Sequence, residues 1–320
     1  MSIPELAFVL TLLFSQEGSP SPNVAVPDGP VLLQANRPME ARAAFEEALG
    51  RDPSNVAAQA GEVAASERLA LQARAEGHMD DALQTLLRAR GYAPQNAHLL
   101  YDLGILEDEM RLFQDADKSL SEADHIQPGD ANTFYGLARV KLDLGQLAAA
   151  EEKMKAYLAL RPNDATAHFG LGRIYQIGLQ PEKAKVEFLK SAELQPVQTE
   201  AYFELGDLAL KDGEFEKAIA EFAKALERDP KHGGALEGTG EAYFKKKDFE
   251  KAEGFLERAV SAAPDYSPSH YYLGLTLTKL GRKSDAEKEL ALAAKLANGD
   301  NAATKQHPQL QEKPAATPQR

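Results

Sequence analysis

Proline recurs at Pro94, Pro128, Pro162, Pro196, Pro230 and Pro264, each 34 residues after the last. Because proline cannot donate a backbone hydrogen bond and collides with the preceding turn, these positions mark places where a helix stops. Two further columns keep the same interval. Ala116, Ala150, Ala184, Ala218, Ala252 and Ala286 form one; Gly104, Ala138, Gly172, Gly206, Gly240 and Gly274 form the other, twelve residues earlier in each unit. Three columns in one register define an internal repeat whose units bury their apolar faces only against neighbours. The 320-residue length, which alone suggests about two domains of roughly 150 residues, is therefore read as one array.

Helical periodicity explains the columns. At about 3.6 residues per turn, Leu100, Leu103, Gly104 and Glu107 share one stripe of a first helix, and Ala116, Leu120 and Ala123 one stripe of a second. A glycine or alanine where the two helices cross lets their backbones approach closely. The proline closes the second helix. Polar residues then follow that can cap the next one: Gln95-Asn96, Gly129-Asp130 and Asn163-Asp164. Each unit is a helical hairpin.

Runs such as Tyr202-Phe203-Glu204-Leu205-Gly206 followed by Ala218, Phe222, Ala225 and Pro230 resemble the tetratricopeptide repeat family, as do Tyr271-Tyr272-Leu273-Gly274 with Ala286, Leu290 and Ala293. The resemblance covers about residue 37 to 300. It implies an all-α fold, a right-handed superhelical solenoid of antiparallel helix–turn–helix repeats, and a non-enzymatic protein-interaction scaffold. Some positions depart from the pattern: tryptophan is absent, Ala138 replaces one glycine, and Tyr157 and Ser191 replace two later alanines, which is expected to soften those hairpins.

The period places seven complete hairpins at 56–96, 97–130, 131–164, 165–198, 199–232, 233–266 and 267–300. Pro53 precedes Pro94 by 41 residues, and the seven extra residues are expected to lengthen the first helix of the 56–96 unit, with Gly77 as its stop. Upstream, Ala41, Phe45 and Ala48 read as a second helix, while Pro22, Pro27 and Pro30 argue against a full first one. Residues 1–21 are a candidate signal peptide and 22–36 a Pro-rich linker. The apolar run Leu6 to Phe14 has the length of a signal-peptide core but is too short to span a bilayer. Against export, Glu5 occupies the segment that should be positive, and no Lys or Arg precedes Arg37. The expectation is a periplasmic or secreted protein, with a cytoplasmic location as the alternative. The tail 301–320 lacks an apolar period and reads as disordered. No extra capping helix is apparent after 267–300, so either Ser284 to Leu296 is polar enough to face water or self-association covers that edge.

Composition removes several chemistries. With no cysteine there is no thiol nucleophile, disulfide or thiolate metal site. With 36 basic against 49 acidic residues the net charge is −13, which argues against nucleic acid as a partner. Gly170-Leu171-Gly172 and Gly238-Thr239-Gly240 imitate a dinucleotide loop, but no strand precedes them and no third glycine follows. His232-Gly233-Gly234 lacks the nucleophile elbow that an oxyanion loop would serve. His168 and His270 fall at equivalent core-side positions, where packing is expected rather than ligation. No catalytic residue, cofactor or metal site is expected.

By the resemblance, first helices line a concave groove. Their leading column is Tyr101, Tyr135, Phe169, Phe203, Glu237 and Tyr271; one turn on come Ile105, Arg139, Arg173, Asp207, Glu241 and Leu275, and a further turn on Glu109, Asp143, Ile177, Lys211, Lys245 and Lys279. Two readings stand. The aromatics can pack between hairpins while the lysines complement helix C-termini. Alternatively, Tyr101, Tyr135, Arg139, Phe169, Arg173, Phe203, Lys211, Lys245, Tyr271 and Lys279 form a partner-binding groove, acidic toward Glu109 and Asp143 and basic toward the three lysines, that fixes the direction of a bound peptide. A cell-envelope carbohydrate-binding module that stacks sugars on the aromatics is the alternative from another class. A chaperone-tail carboxylate clamp is excluded, since its lysine and asparagine columns are Tyr101, Tyr135 and Phe169 and Ile105, Arg139 and Arg173 here.

Overall fold

The computed structural model describes residues 28–306, which form sixteen α-helices and, among those residues, no strand. The chain divides into two compact units at Leu144 and Gly145. The first holds α1 (Gly29–Gln34), α2 (Pro38–Arg51), α3 (Val56–Ala75), α4 (Met79–Tyr92), α5 (Ala97–Glu109), α6 (Phe113–Ile126) and α7 (Ala131–Asp143). The second holds α8 (Leu147–Leu160), α9 (Ala165–Ile177), α10 (Pro181–Leu194), α11 (Thr199–Lys211), α12 (Phe215–Arg228), α13 (Gly233–Lys245), α14 (Phe249–Ala262), α15 (Ser267–Lys279) and α16 (Lys283–Gln306). Within each unit, helices consecutive in the chain pack together, and first helices also touch one another: α3 with α5 and α5 with α7, then α11 with α13 and α13 with α15. No described helix is long and apolar enough to cross a membrane.

The helix ends follow from local chemistry. Second helices stop at Tyr92, Ile126, Leu160, Leu194, Arg228 and Ala262, two residues before the repeating prolines. First helices are capped by Asn96, Asp130 and Asp164, whose side chains accept the amides of Leu99, Thr133 and Ala167 at 3.0, 2.8 and 3.0 Å. Between the two helices of a hairpin the backbone turns left-handed, and here a further 34-residue column emerges: Gly77, Arg111, Gly145, Leu179, Gly213, Lys247 and Gly281 all have φ between 54° and 82°. The amide following six of the seven closes a six-residue loop, as in Gln180 N–H to Tyr175 O at 2.8 Å and Glu214 N–H to Ala209 O at 2.8 Å. Four of the seven positions are glycine. At the others a side chain is held where L-residues are disfavoured.

The small column sits where hairpins close. A methyl group added to Gly206 would stand 2.5 Å from the Phe222 ring, and one on Gly240 would stand 2.5 Å from Leu256 Cγ. The Gly-x-Gly pairs are two such contacts in succession. Gly238 meets Phe222 of the preceding α12 and Gly240 meets Leu256 of its own partner α14, so neither glycine is free to cradle a ligand. Ala116, Ala150, Ala184, Ala218, Ala252 and Ala286 are at most 2% exposed.

The 56–96 unit shows where its extra residues went. Its first helix α3 has 20 residues against 13 in α5. In α13 the contact with the previous hairpin (Gly238) and the contact with its own partner (Gly240) are two residues apart. In α3 the corresponding positions are Gly61, against Phe45 of α2, and Ala70, in one cluster with Leu86 of α4. The seven residues are therefore inserted between 61 and 70. Because seven residues miss two full turns by only about 20°, both contacts stay on matching faces.

Several boundaries differ from the sequence reading. The stretch assigned to a linker at 22–36 contains α1 from Gly29, because Asp28 turns left-handed (φ 67°) and Pro30 is compatible with the first turn of a helix. The final helix α16 continues to Gln306, beyond the boundary placed at 300. Over the residues whose side chains are described, its outer face carries Glu287, Lys288 and Lys295, with Leu292 as an exposed large apolar residue. Tyr157 and Ser191, expected to soften their hairpins, are both hydrogen-bonded. The Tyr157 hydroxyl donates to Asp164 at 2.6 Å, and the Ser191 hydroxyl donates to Ala165 O at 2.8 Å with the Gln198 amide 2.6 Å away. The candidate signal peptide 1–21, the linker before residue 28 and the tail beyond 306 lie outside the described residues.

Two substitutions test these constraints by chemical denaturation. Gly206→Val drives a branched side chain into Phe222 and is expected to destabilise by about 2 kcal/mol. Leu179→Gly relieves a left-handed residue that is 87% exposed and is expected to stabilise by about 0.5–1 kcal/mol, the left-handed penalty less the entropy of glycine.

Candidate functional site

In α5, α9, α11, α13 and α15 the small residue packs against the partner helix, and the next stripe is turned away from that contact. In the first unit this stripe carries Tyr101 on α5 and Tyr135 and Arg139 on α7, all half-buried. In the second it carries Phe169 and Arg173 on α9, Phe203 and Lys211 on α11, Lys245 on α13, and Tyr271 and Lys279 on α15. Phe169 and Phe203 are half-buried and lie tilted against Phe188 and Phe222 of their partner helices, with centroids 5.4 and 6.0 Å apart; Phe203 also meets the His232 ring at 4.9 Å. Tyr271 is 48% exposed. Lys211, Lys245 and Lys279 are exposed.

Most of the charges on these stripes are paired. Arg139 reaches buried Asp108 at 3.0 Å, and Arg74 pairs with Glu109. Lys211 pairs with Asp207 one turn earlier at 2.5 Å, and Lys245 lies 3.6 Å from Glu241 in the same relation. Two of the three lysines of the expected basic end are thus compensated within their own helices. Lys279 has no ion pair or hydrogen bond among the described residues.

Glu237 differs from its neighbours. It occupies the aromatic column between Phe203 and Tyr271, is 9% exposed, and is reached by no hydrogen bond or ion pair among the described residues. Burial, then the nearby Glu241 and Asp207 carboxylates, push its pKa to about 8. The same field acts on two tyrosines that column reasoning passed over. Tyr266 and Tyr272 both have raised pKa values, from burial first, with Glu241 and Glu237 contributing to each. Tyr266 stands where earlier units place a capping Asn or Asp (Asn96, Asp130 and Asp164) and the next two place Gln198 and His232, and that substitution was the available signal. Glu204 is also buried with a raised pKa, but Gln176 of α9 donates to its carboxylate at 2.7 Å.

One profile of the tetratricopeptide repeat family matches residues 29–65, 135–182 and 203–267, and a second matches 244–305, together more than half of the sequence. The chain belongs to the tetratricopeptide repeat family. A tetratricopeptide repeat protein from Parabacteroides merdae is similar in structure, with 17% identity, TM-score 0.60, and coverage of 76% of this chain and 96% of that one. MamA from Desulfovibrio magneticus is similar at 22% identity and TM-score 0.51, over 53% and 96%. The Cut9–Hcn1 hetero-tetramer of APC/C is similar at 17% and 0.55, over 89% and 55%. At these identities the likeness speaks for fold alone. Comparison with curated proteins finds no match.

Tetratricopeptide repeat proteins generally mediate protein–protein interactions and are typically non-enzymatic, and the remaining polar clusters here have structural work. His168 and His270 each place Nδ1 2.6 Å from a carboxylate of the partner helix, Glu187 and Glu289, and Nε2 at 3.0 and 2.8 Å from the carbonyls of Pro162 and Pro264. They clamp the hairpin to its preceding junction. Among the described residues one metal-ligating group converges, Glu67, His98 and Asp102. The close contact in that group is a His98–Glu67 hydrogen bond at 2.9 Å. A depression of about 630 Å³ lies at a junction between hairpins, lined by Arg161, Asn163, Asp164 and Gln195, away from the first-helix stripes.

Glu237 gives a signed pH dependence. Its carboxyl stays protonated in the fold between the ordinary 4.5 and about 8, whereas the unfolded chain releases that proton. Its contribution is therefore fully present below pH 4.5 and is lost as pH rises through 8. Relative to Glu237→Gln, the protein is expected to lose on the order of 4 kcal/mol across that window, read from thermal unfolding at steps between pH 4.5 and 8.5.

Proposed function

We propose that this protein is a non-enzymatic scaffold that binds a peptide segment of a partner protein along its first-helix stripes. The observation that carries the reading is the ladder itself. Side chains of similar chemistry recur every 34 residues on helices whose opposite faces are locked in the core, so Tyr271 and Lys279 are presented on a rigid support. Exposed Tyr271 and the half-buried aromatics of its column supply contact area, and the paired charges fix register. Sugar stacking is less favoured, because Phe169 and Phe203 face Phe188 and Phe222 within the fold.

Selection of phage-displayed twelve-residue peptides on the full chain tests this. Selected peptides are expected to bind the Tyr271→Ala, Lys279→Glu double variant at least about fivefold more weakly, with an unchanged melting temperature because both residues are exposed. Equal binding to the two proteins, or no selected peptide, overturns the reading.

A further inference from the structure

Asp207 on α11, Glu237 and Glu241 on α13, and the hydroxyl-bearing rings of Tyr266, which precedes α15, and Tyr272, within it, meet on one face of the second unit. We infer that this face is a socket for one lysine or arginine side chain of the bound peptide, with the Glu237 carboxylate as its floor. The inference rests on the peptide-binding reading above and adds what the peptide must carry.

Charge counting comes first. Lys211 and Lys245 pair with Asp207 and Glu241, two cations for two carboxylates. Glu237 is left over, nine-tenths buried, with no hydrogen bond or ion pair among the described residues. A buried carboxyl of this kind must either stay protonated or acquire a cation. The structure supplies none. An isolated carboxyl in an aromatic column also has no packing rationale, since Phe203 and Tyr271 show which side chains the equivalent positions accommodate.

The shape of the site selects the kind of cation. The Asp207 and Glu241 carboxylates are close enough to raise the proton affinity of Glu237, yet the three do not bring ligand atoms together as Glu67, His98 and Asp102 do. That spacing suits an ammonium or guanidinium head rather than a bare metal ion. Tyrosine rings at the edge suit it further, because aromatic faces attract such heads and cover the aliphatic stem. One cation of the protein already uses one of these rings: Lys245 Nζ sits 5.9 Å from the Tyr272 ring centroid. Tyr266 is 45% exposed, which leaves the approach open.

Binding would also move a proton. At pH 7 free Glu237, with its pKa near 8, is mostly protonated. A cation seated against it favours the carboxylate, so the proton leaves to solvent as the ion pair forms.

The test uses the full chain and the selected twelve-residue peptides, each resynthesised with its lysine or arginine replaced by norleucine. The peptides are expected to share a basic residue at a fixed position, and norleucine there should weaken binding at least about tenfold to the wild type but less than about twofold to Glu237→Gln. Calorimetry at pH 7 in buffers of different ionisation enthalpy should find close to one proton released per peptide by the wild type and none by Glu237→Gln. The glutamine is isosteric and removes a buried acid, so its melting temperature should not fall. Peptides that bind without a basic preference, or a norleucine effect of the same size on both proteins, overturn the socket and leave peptide binding intact. No selected peptide at all overturns both.

Discussion

Close approach between paired helices is the contact on which the other features of this chain depend. With hydrogen alone at Gly104, Gly172, Gly206, Gly240 and Gly274, a large apolar side chain of the partner helix, Leu120, Phe188, Phe222, Leu256 or Leu290, can lie flat against the backbone. Those side chains are so near that an added methyl group would stand 2.5–2.6 Å from them. The alanine column then closes the remaining space from the second helix. Once two helices are held at that separation, the residues of the adjoining stripe must point away from the contact, and a line of accessible side chains at fixed pitch follows from helical geometry.

The hairpin turn obeys the same constraint from the other side. To bring the second helix back over the first within three residues the chain adopts a left-handed residue, and it does so at Arg111, Leu179 and Lys247 as readily as at the glycines of the column. Packing along two full helices outweighs a local penalty of about 1–2 kcal/mol. The insertion in α3 shows the limit of what the arrangement tolerates. An insertion of seven residues between Gly61 and Ala70 displaces the second contact by about 10 Å along the helix while keeping its direction, whereas an insertion of two or five would turn it away from Leu86.

This division between what packing sets and what it leaves open also decides what could be read from the sequence. Columns of proline, alanine and glycine were legible because side-chain size and a missing N–H are properties of the residue itself. The caps at Asn96, Asp130 and Asp164 were legible for the same reason. The left-handed column was not, because Arg111, Leu179 and Lys247 carry no mark of a backbone imposed by their neighbours. Charges were legible as residues but not as a field. Of the basic end expected from Lys211, Lys245 and Lys279, the first two are compensated by Asp207 and Glu241 one turn back, a spacing the sequence displays, whereas Arg139 meets Asp108 from another helix, 31 positions away. Tyr157 and Ser191 looked like lapses in an alanine column, and each instead makes a hydrogen bond that an alanine could not.

Glu237 is where local consistency fails, and the way it fails is informative. Buried acids elsewhere are offset: Glu204 by Gln176, Glu62 by the Ser66 hydroxyl at 2.9 Å, and Asp108 by Arg139. Each of these partners lies on its own or a neighbouring helix, so the repeat geometry can supply one. At Glu237 the nearest charged groups are two further carboxylates, and the lysines that could have answered it extend instead to Asp207 and Glu241. A phenylalanine or tyrosine in the same column would relieve the desolvation without disturbing the helix. Stability therefore gives no reason for an acid at this position, and the remaining physical reason is a positive charge that arrives from outside the chain.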